Sequence, residues 1–496
     1  MIFLRLTYSL KFLKWFSALL IIDLLLSGCA VGPDYVKPNA LVAESYKESD
    51  GWKIAQPSDE LPRGNWWGIY KDPVLDQLMN RIDINNQNLI GAEAQYRQAT
   101  ALLQQARSGL FPVVGANASE NRGSVNNSNS GFSSAAQTNN ANLNASWIPD
   151  IWGQVRRSIE SSSANAQATA AQVDAARLSI QATLAQSYFQ LRIADMQKRM
   201  YEDTLKAYEK SLEITLNQYT AGIVTQLDVA QARTIYESTL ALAIDIGLAR
   251  AQVEHAIAVL VGETPSNFTL APQPMSIDPV TGLVVSPVSK LVANLPEVPS
   301  GIPSQLLERR PDIAAAERQM AAANARIGVA KAAFFPTISI SAAGGYQGAD
   351  LPGLISLPFR YWSIGPSLAQ TIFDGGARLG ALNQADAAYD QAVATYRQTV
   401  LTAFQNVEDN LIAVRLLQKE SNAQADAVKH AQDAVRISLN QYKSGITTYL
   451  TVVTSQASEL NNERTLMSLL NRHMSAHVGL ITALGGGWDT QKITSK

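Results

Sequence analysis

The sequence lacks most of what catalysis needs. It has one cysteine, Cys29, and four histidines, His255, His430, His473 and His477. His473 and His477 are four apart, but the step His-Met-Ser-Ala-His has no glutamate of the metalloprotease kind. They are read as surface or interface residues, with no metal and no cofactor. No Gly-x-Ser-x-Gly elbow is present. The run Gly485 to Gly487 follows a helical pattern instead of preceding one, so it is a stop and not a phosphate cradle. Charge of either sign is also missing as a surplus: 40 basic residues face 42 acidic ones, which gives no pull toward nucleic acid. Proline is absent from 152 to 219, and Gly153 is the only glycine there. Long apolar runs are absent except at the very start.

That start has the build of an export signal. Arg5, Lys11 and Lys14 precede a short apolar core, Phe16 to Leu26, then Ser27, Gly28 and Cys29. Leu26-Ser27-Gly28-Cys29 resembles the bacterial lipobox, which implies cleavage after residue 28 and acylation of Cys29. An unpaired cysteine in an exported chain then has an explanation. Ala30 stands where the inner-membrane retention signal has aspartate, so the resemblance implies sorting to the outer membrane. Acyl chains hold by about 0.8 kcal/mol per buried CH₂.

The second half repeats the first at an offset of 223 to 224 residues. Leu216-Asn-Gln-Tyr219-x-x-Gly222-Ile223 returns as Leu439-Asn-Gln-Tyr442-x-x-Gly445-Ile446, and Phe111-Pro112 returns as Phe335-Pro336. Each copy reads helix, two strands, long helix, glycine turn, helix. A unit of this size is not a solenoid repeat, which runs about 20 to 50 residues.

Strands are expected at about 112–122, 138–148, 336–347 and 360–373. In the second pair, Ile338, Ile340 and Ala342 alternate with Thr337, Ser339 and Ser341, and Trp362, Ile364 and Leu368 alternate with Ser363, Gly365 and Ser367. A period of two marks a strand, and about ten residues of apolar-out, polar-in alternation suits a membrane β-barrel. A soluble sandwich needs the same alternation. Pro366 interrupts it and fits only an edge position or a bulge.

The helices separate these options. Residues 152 to 219 and 376 to 443 carry near-heptad apolar spacing, with Tyr396, Val400, Ala403, Val407, Leu411 and Val414 in the second. At 1.5 Å per residue such a helix reaches about 100 Å. Return helices are expected at 225–262 and 449–484, and another helix at 308–334. Four strands cannot close a barrel, and an open edge is not tolerated in lipid. Several copies must therefore share one barrel, and three would supply twelve strands.

The expected division is 1–28 signal peptide, 29–75 lipidated extended arm, 76–262 first repeat, 263–307 linker without helix, 308–486 second repeat and 487–496 tail. The fold class is mainly α with a membrane β-barrel contribution.

Five stretches carry a family resemblance: Cys29-Ala-Val-Gly-Pro33-Asp-Tyr35, Trp66-Trp67-x-x-Tyr70-x-Asp72-Pro73-x-Leu75, Arg309-Arg310-Pro311-Asp312-Ile313, Phe373-Asp374-Gly375-Gly376 and Ala483-Leu484-Gly485-Gly486-Gly487-Trp488. With them the chain resembles the outer membrane factors of tripartite efflux systems, the TolC/OprM-like proteins, in their NodT-type lipoprotein branch. The resemblance implies a homotrimer with a 12-stranded outer-membrane β-barrel and a periplasmic α-helical barrel. It also implies a passive conduit for small molecules, docked to a periplasmic membrane fusion adaptor and an inner-membrane RND-type pump.

The same likeness places adaptor contact and closure at the tip turns, Gly222 and Ile223 in one copy and Gly445 and Ile446 in the other. It points to Leu450 as a constriction residue. The family's aspartate four residues further on is Thr454 here, so a neutral constriction is expected. Asp228 in the first copy is another candidate, and so is a plain helix-start role for it. Leu450 and Thr454 also fit as coiled-coil seam residues. Two other functions remain open at this level: a type I protein secretion duct, and a non-pore structural coiled-coil lipoprotein.

Overall fold

The computed structural model describes residues 30–37, 47, 65–126, 133–277, 284–293, 295 and 310–486. The signal segment, Cys29, Arg309, Gly487, Trp488 and the tail lie outside the described residues. In chain order the elements are α1 (Pro73–Asn85), α2 (Gln87–Ser108), β1 (Val113–Asn126), β2 (Ser133–Trp147), α3 (Gln154–Thr220) and α4 (Gln226–Leu260). The small strands β3 (Ser276–Ile277) and β4 (Val284–Val285) come next, then α5 (Pro287–Ala293) and α6 (Pro311–Ala332). The chain ends with β5 (Thr337–Gly348), β6 (Arg360–Ala369), α7 (Ala377–Lys443) and α8 (Tyr449–Ala483). No described helix is long and apolar enough to cross a membrane.

The chain divides into two compact units, and α3 and α7 each contribute residues to both. The first unit gathers residues 1–39, 95–169 and 315–396. It holds a four-stranded antiparallel sheet in the order β1-β2-β5-β6. Each strand is long enough for the nine to eleven residues that a membrane crossing takes, roughly. Pro366 lies on β6, the last strand of the sheet within the chain, opposite Ile340 of β5.

The second unit gathers 40–94, 170–314 and 397–496. Its core is aromatic: the Tyr70 ring meets Phe189 edge-on at 4.9 Å, and Tyr188 meets Phe189 at 5.4 Å. Burying such rings stabilises by roughly 2–3 kcal/mol each. On the part of α7 in this unit, Val400, Ala403, Val407 and Leu411 are buried, at spacings of three and four.

Two expectations are corrected here. The linker contains a helix, α5, with Pro287 at its first position, where a missing N–H costs nothing. His473 and His477 are buried inside the unit instead of lying at its surface. Tyr70 Oη and His477 Nδ1 are hydrogen-bonded at 2.9 Å, and burial lowers the His473 imidazole pKa.

The recognisable motifs are joints. Asp72 caps α1 by accepting from the Val74 and Leu75 amides at 2.9 and 3.2 Å, and Tyr188 donates to its other oxygen. Arg310 grips Asp312 with two bonds and donates to the Ala483 carbonyl at the end of α8, 2.9 Å away. Each strand-to-long-helix junction has an aspartate on the first helical amides. Asp150 accepts from Val155 and Arg156 at 2.8 Å each, and Asp374 accepts from Arg378 of α7 at 3.3 Å and from Gly376 just before it at 3.0 Å.

Candidate channel elements

Strand register decides what the sheet presents. Cross-strand partners line up as Val114, Ala145, Ala342, Ile364 in one row and Ala116, Leu143, Gly344, Trp362 in the next. A third row is Ala118, Ala141, Tyr346, Arg360. Between these rows run Gly115, Asn144, Ala343, Ser363 and Asn117, Asn142, Gly345, Tyr361 on the opposite face. Since side chains alternate along a strand, one face is apolar apart from Arg360 at the start of β6, and the other is polar. Polar-face groups bond across strands: Asn142 Nδ2 donates to Tyr361 Oη at 2.8 Å, and Ser339 and Ser367 hydroxyls meet at 2.7 Å. Val114, Leu143, Trp362, Ile364 and Leu368 are exposed on the apolar face. Among the described residues β1 and β6 each keep one unpaired edge.

At the other candidate element, α3 and α7 stop by the same device. Ile223 N–H reaches back to the Gln218 carbonyl and Gly222 N–H to Tyr219, both at 2.9 Å. Ile446 donates to Gln441 at 2.9 Å and Gly445 to Tyr442 at 3.0 Å. This double bond pattern needs a left-handed residue, supplied by Gly222 at φ 73° and Gly445 at φ 72°. Ile223 and Ile446 are 70% and 74% exposed at the turns.

Below the turns, Tyr442, Tyr449, Val452 and Ala232 form a buried cluster. Its hydroxyls are bound to α3: Tyr449 Oη lies 3.1 Å from Ser211 Oγ, and Tyr442 Oη donates to Thr215 at 3.5 Å. One turn further along, Tyr208 on α3 donates to the Gln456 carbonyl of α8 at 2.9 Å. Burial raises the pKa of all three tyrosines, so their hydroxyls stay neutral.

Asp228 sits at the third position of α4. Thr225 gives it two bonds, from the backbone at 2.9 Å and from the hydroxyl at 2.7 Å. This is a capping box, so the carboxylate has a local job. The equivalent in the second copy is Thr451, hydrogen-bonded to Thr447 at 3.0 Å. Leu450 is exposed, and so is Thr454, whose hydroxyl turns back to the Thr451 carbonyl at 3.0 Å. The stripe Ile446, Leu450, Thr454 thus runs at spacings of four. Sequence reasoning missed its counterpart, the exposed Leu227 one turn from Ile223. The 223-residue offset from Leu450 could have found it. Among the described residues no cluster of three or more His, Cys, Asp or Glu could hold a metal.

Residues 78–263 and 302–486 match the outer membrane efflux protein family. The probable efflux pump outer membrane protein TtgC of Pseudomonas putida is 31% identical over 94% of each chain. The cation efflux system protein CusC of Escherichia coli is 28% identical over 94% of this chain and 97% of its own. Among solved structures, the outer-membrane channel OprN superimposes with a TM-score of 0.83 at 28% identity, covering 93% of this chain and 100% of its own. The Neisseria gonorrhoeae MtrE outer membrane channel in its open state gives 0.78 at 27% identity, over 93% and 99%. The chain belongs to the outer membrane efflux protein family: it is an outer-membrane efflux channel component with a periplasmic helical part, and not an enzyme.

Proposed function

We propose that three copies join their four-stranded sheets, β6 of one to β1 of the next, into a 12-stranded barrel that carries small toxic solutes outward. The observation that carries this reading is the sheet itself. Its apolar face suits lipid, its polar face suits a watery lumen, and its two free edges cannot stay unpaired in hydrocarbon. The conduit is passive. Energy comes from an inner-membrane pump of the RND type, reached through a periplasmic adaptor.

The tip turns at Gly222–Ile223 and Gly445–Ile446 are the proposed adaptor contacts, since each presents an exposed isoleucine with a leucine one turn on. Leu450 and Thr454 form the proposed constriction. It is neutral, because Asp228 already serves the α4 cap. Cys29 is the proposed lipid anchor, and the domain division given above is part of the same reading. Relatives named for toluene, antibiotic and cation efflux set the range of cargo to test.

Reconstitution in a planar lipid bilayer tests the conduit. Discrete conductance steps of weak cation preference support it, and a sealed membrane at any protein concentration refutes it. A deletion strain profiled against solvents, antibiotics and metals separates efflux from protein secretion. Sensitivity with normal secretion supports efflux, and lost secretion with unchanged sensitivity refutes it.

A further inference from the structure

The apolar face of the sheet carries one charge that nothing in the chain neutralises. Arg360 opens β6, in the row Ala118, Ala141, Tyr346, Arg360, and its side chain is exposed. Among the described residues it has no ion pair and no side-chain hydrogen bond. Further out, β1 turns Glu120 and Arg122 to the same face, but Arg122 donates to Glu120 at 2.6 Å and that pair cancels itself.

Arg360 also stands at a defined height. The periplasmic helices join the opposite ends of the strands, so the Arg360 end of the sheet points away from the periplasm. Leu368, on the same face of β6, lies eight residues from Arg360. Eight residues at about 3.4 Å make about 27 Å along the strand, or about 20 Å of depth at a tilt of about 40°. An outer-membrane barrel has an apolar band about 25 Å tall. A guanidinium at this level meets the headgroups.

Below Arg360 the face is shaped to hold a hydrocarbon chain. Ala342 and Gly344 of β5 form a floor, flanked by Leu143 on β2 and by Trp362 and Ile364 on β6. These walls are exposed and stand two strand spacings apart, about 10 Å. A Cβ on Gly344 would meet nothing closer than the Tyr361 carbonyl at 3.8 Å, so the floor is open. Towards the outer end, a Cβ on Gly348 would meet Phe359 at 2.9 Å and Leu354 at 3.2 Å, so the β5–β6 loop folds apolar side chains over β5. Tyr346 lies between this lip and the floor, opposite Arg360.

We propose that this is a binding site for one phosphate-bearing membrane lipid of the outer leaflet. Arg360 takes the phosphate, Tyr346 lies beside the headgroup, and an acyl chain runs over Ala342 and Gly344 between Leu143 and Trp362. A guanidinium offers parallel N–H donors that match two phosphate oxygens. Charge complementarity thus selects the anionic headgroup, and the furrow selects a lipid over free phosphate. The site rests on the reading of the sheet as part of a membrane barrel.

The test is native mass spectrometry of the full-length protein, stripped of lipid by detergent exchange and then given one defined probe at a time. The probes are dioleoylphosphatidylglycerol, dioleoylglycerol (the same chains without phosphate) and inorganic phosphate. Wild-type trimers are expected to keep up to one phosphatidylglycerol per protomer, and inorganic phosphate is expected not to bind. Phosphatidylglycerol should be held more tightly than dioleoylglycerol by about tenfold or more, the ratio that one charge-assisted hydrogen bond gives. Arg360→Gln should erase that preference. Gly344→Leu fills the floor without a clash, so trimers should form and both lipids should bind more weakly. Equal retention of the two lipids by the wild type, or an unchanged preference in Arg360→Gln, overturns the site. So does an Arg360→Gln trimer that falls apart while its protomers keep the preference, since Arg360 then serves the contact between copies. Binding of inorganic phosphate with no lipid retained marks an anion site only and also overturns it. Absence of any trimer contradicts the barrel reading and the site with it, whereas trimers without phosphate preference contradict the site alone.

Discussion

Tyr219 and Tyr442 hold the same place in the two repeats, and only one is inside. Tyr442 is 4% exposed, its ring meets Tyr449 at 5.1 Å and its hydroxyl reaches Thr215, whereas Tyr219 is 43% exposed. The duplicated motif thus builds two tips of different firmness, and the α7–α8 tip is the one tied to α3.

Replacing these tyrosines should separate the copies. Tyr442→Ala removes a packed ring and is expected to cost about 3–5 kcal/mol of local stability. Tyr219→Ala is expected to change it by about 0.5 kcal/mol or less. Amide hydrogen exchange of the peptides spanning 436–456 reads the difference directly, and equal exchange in both variants would contradict the asymmetry.

The turn glycines answer a separate question. A Cβ at Gly222 or Gly445 meets nothing within 4 Å, so space is not the constraint. Only the left-handed backbone is. Gly222→Ala and Gly445→Ala should each cost about 1–2 kcal/mol, and Gly→Asn should cost less, since asparagine tolerates this region. Protection of the last helical turn in exchange experiments gives the ranking.

Helix α8 should loosen as pH rises. Glu459 and Glu463 lie one turn apart on it, and among the described residues neither forms a salt bridge. Burial, then the Glu463 charge, pushes Glu459 up to about 7. Burial also raises Glu463, against the Gln432 amide that donates to it at 3.0 Å. Both groups are easier to protonate packed than unpacked. Their contribution is therefore complete below the ordinary carboxylate range and is lost as pH climbs through about 7. Tyr208, the titratable group facing them from α3, stays neutral over this window. Exchange protection along α8 should fall between pH 5 and 8, roughly the span of the linkage, and Glu459→Gln should flatten that dependence. An unchanged slope in the variant counts against the explanation.

The two faces of the sheet predict opposite tolerances. Ile364→Arg puts a charge on the apolar face at a cost of about 2–4 kcal/mol near mid-bilayer, and heat-resistant oligomer should disappear from the outer-membrane fraction. Ser363→Arg, one residue away on the polar face, should assemble normally and alter conductance. Equal failure of both would mean that the faces are misassigned.

How far the sequence could be read depended on the kind of signal. Periodicity placed the long helices within two residues, since 67 residues without proline and with near-heptad apolar spacing leave little choice. Strand β1 ran four residues past its expected end, because Arg122 to Asn126 lack alternation and are held only by pairing with β2. Helix α5 was missed under a rule that prolines exclude helices, when Pro287 stands at the one position that welcomes it. The buried histidines were misjudged because four polar-looking residues give no face to read. At the tips, glycines and isoleucines were legible from the repeat. The tyrosine bonds to Ser211 and Thr215 were not, since they join helices more than 200 residues apart.

The central claim is that one chain supplies a third of a barrel. Native mass spectrometry of the protein extracted from outer membranes in mild detergent tests it most directly. The account predicts a complex of three protomers of equal mass, none larger than the 53.6 kDa sequence apart from any attached lipid. A monomer that remains soluble without detergent would contradict it.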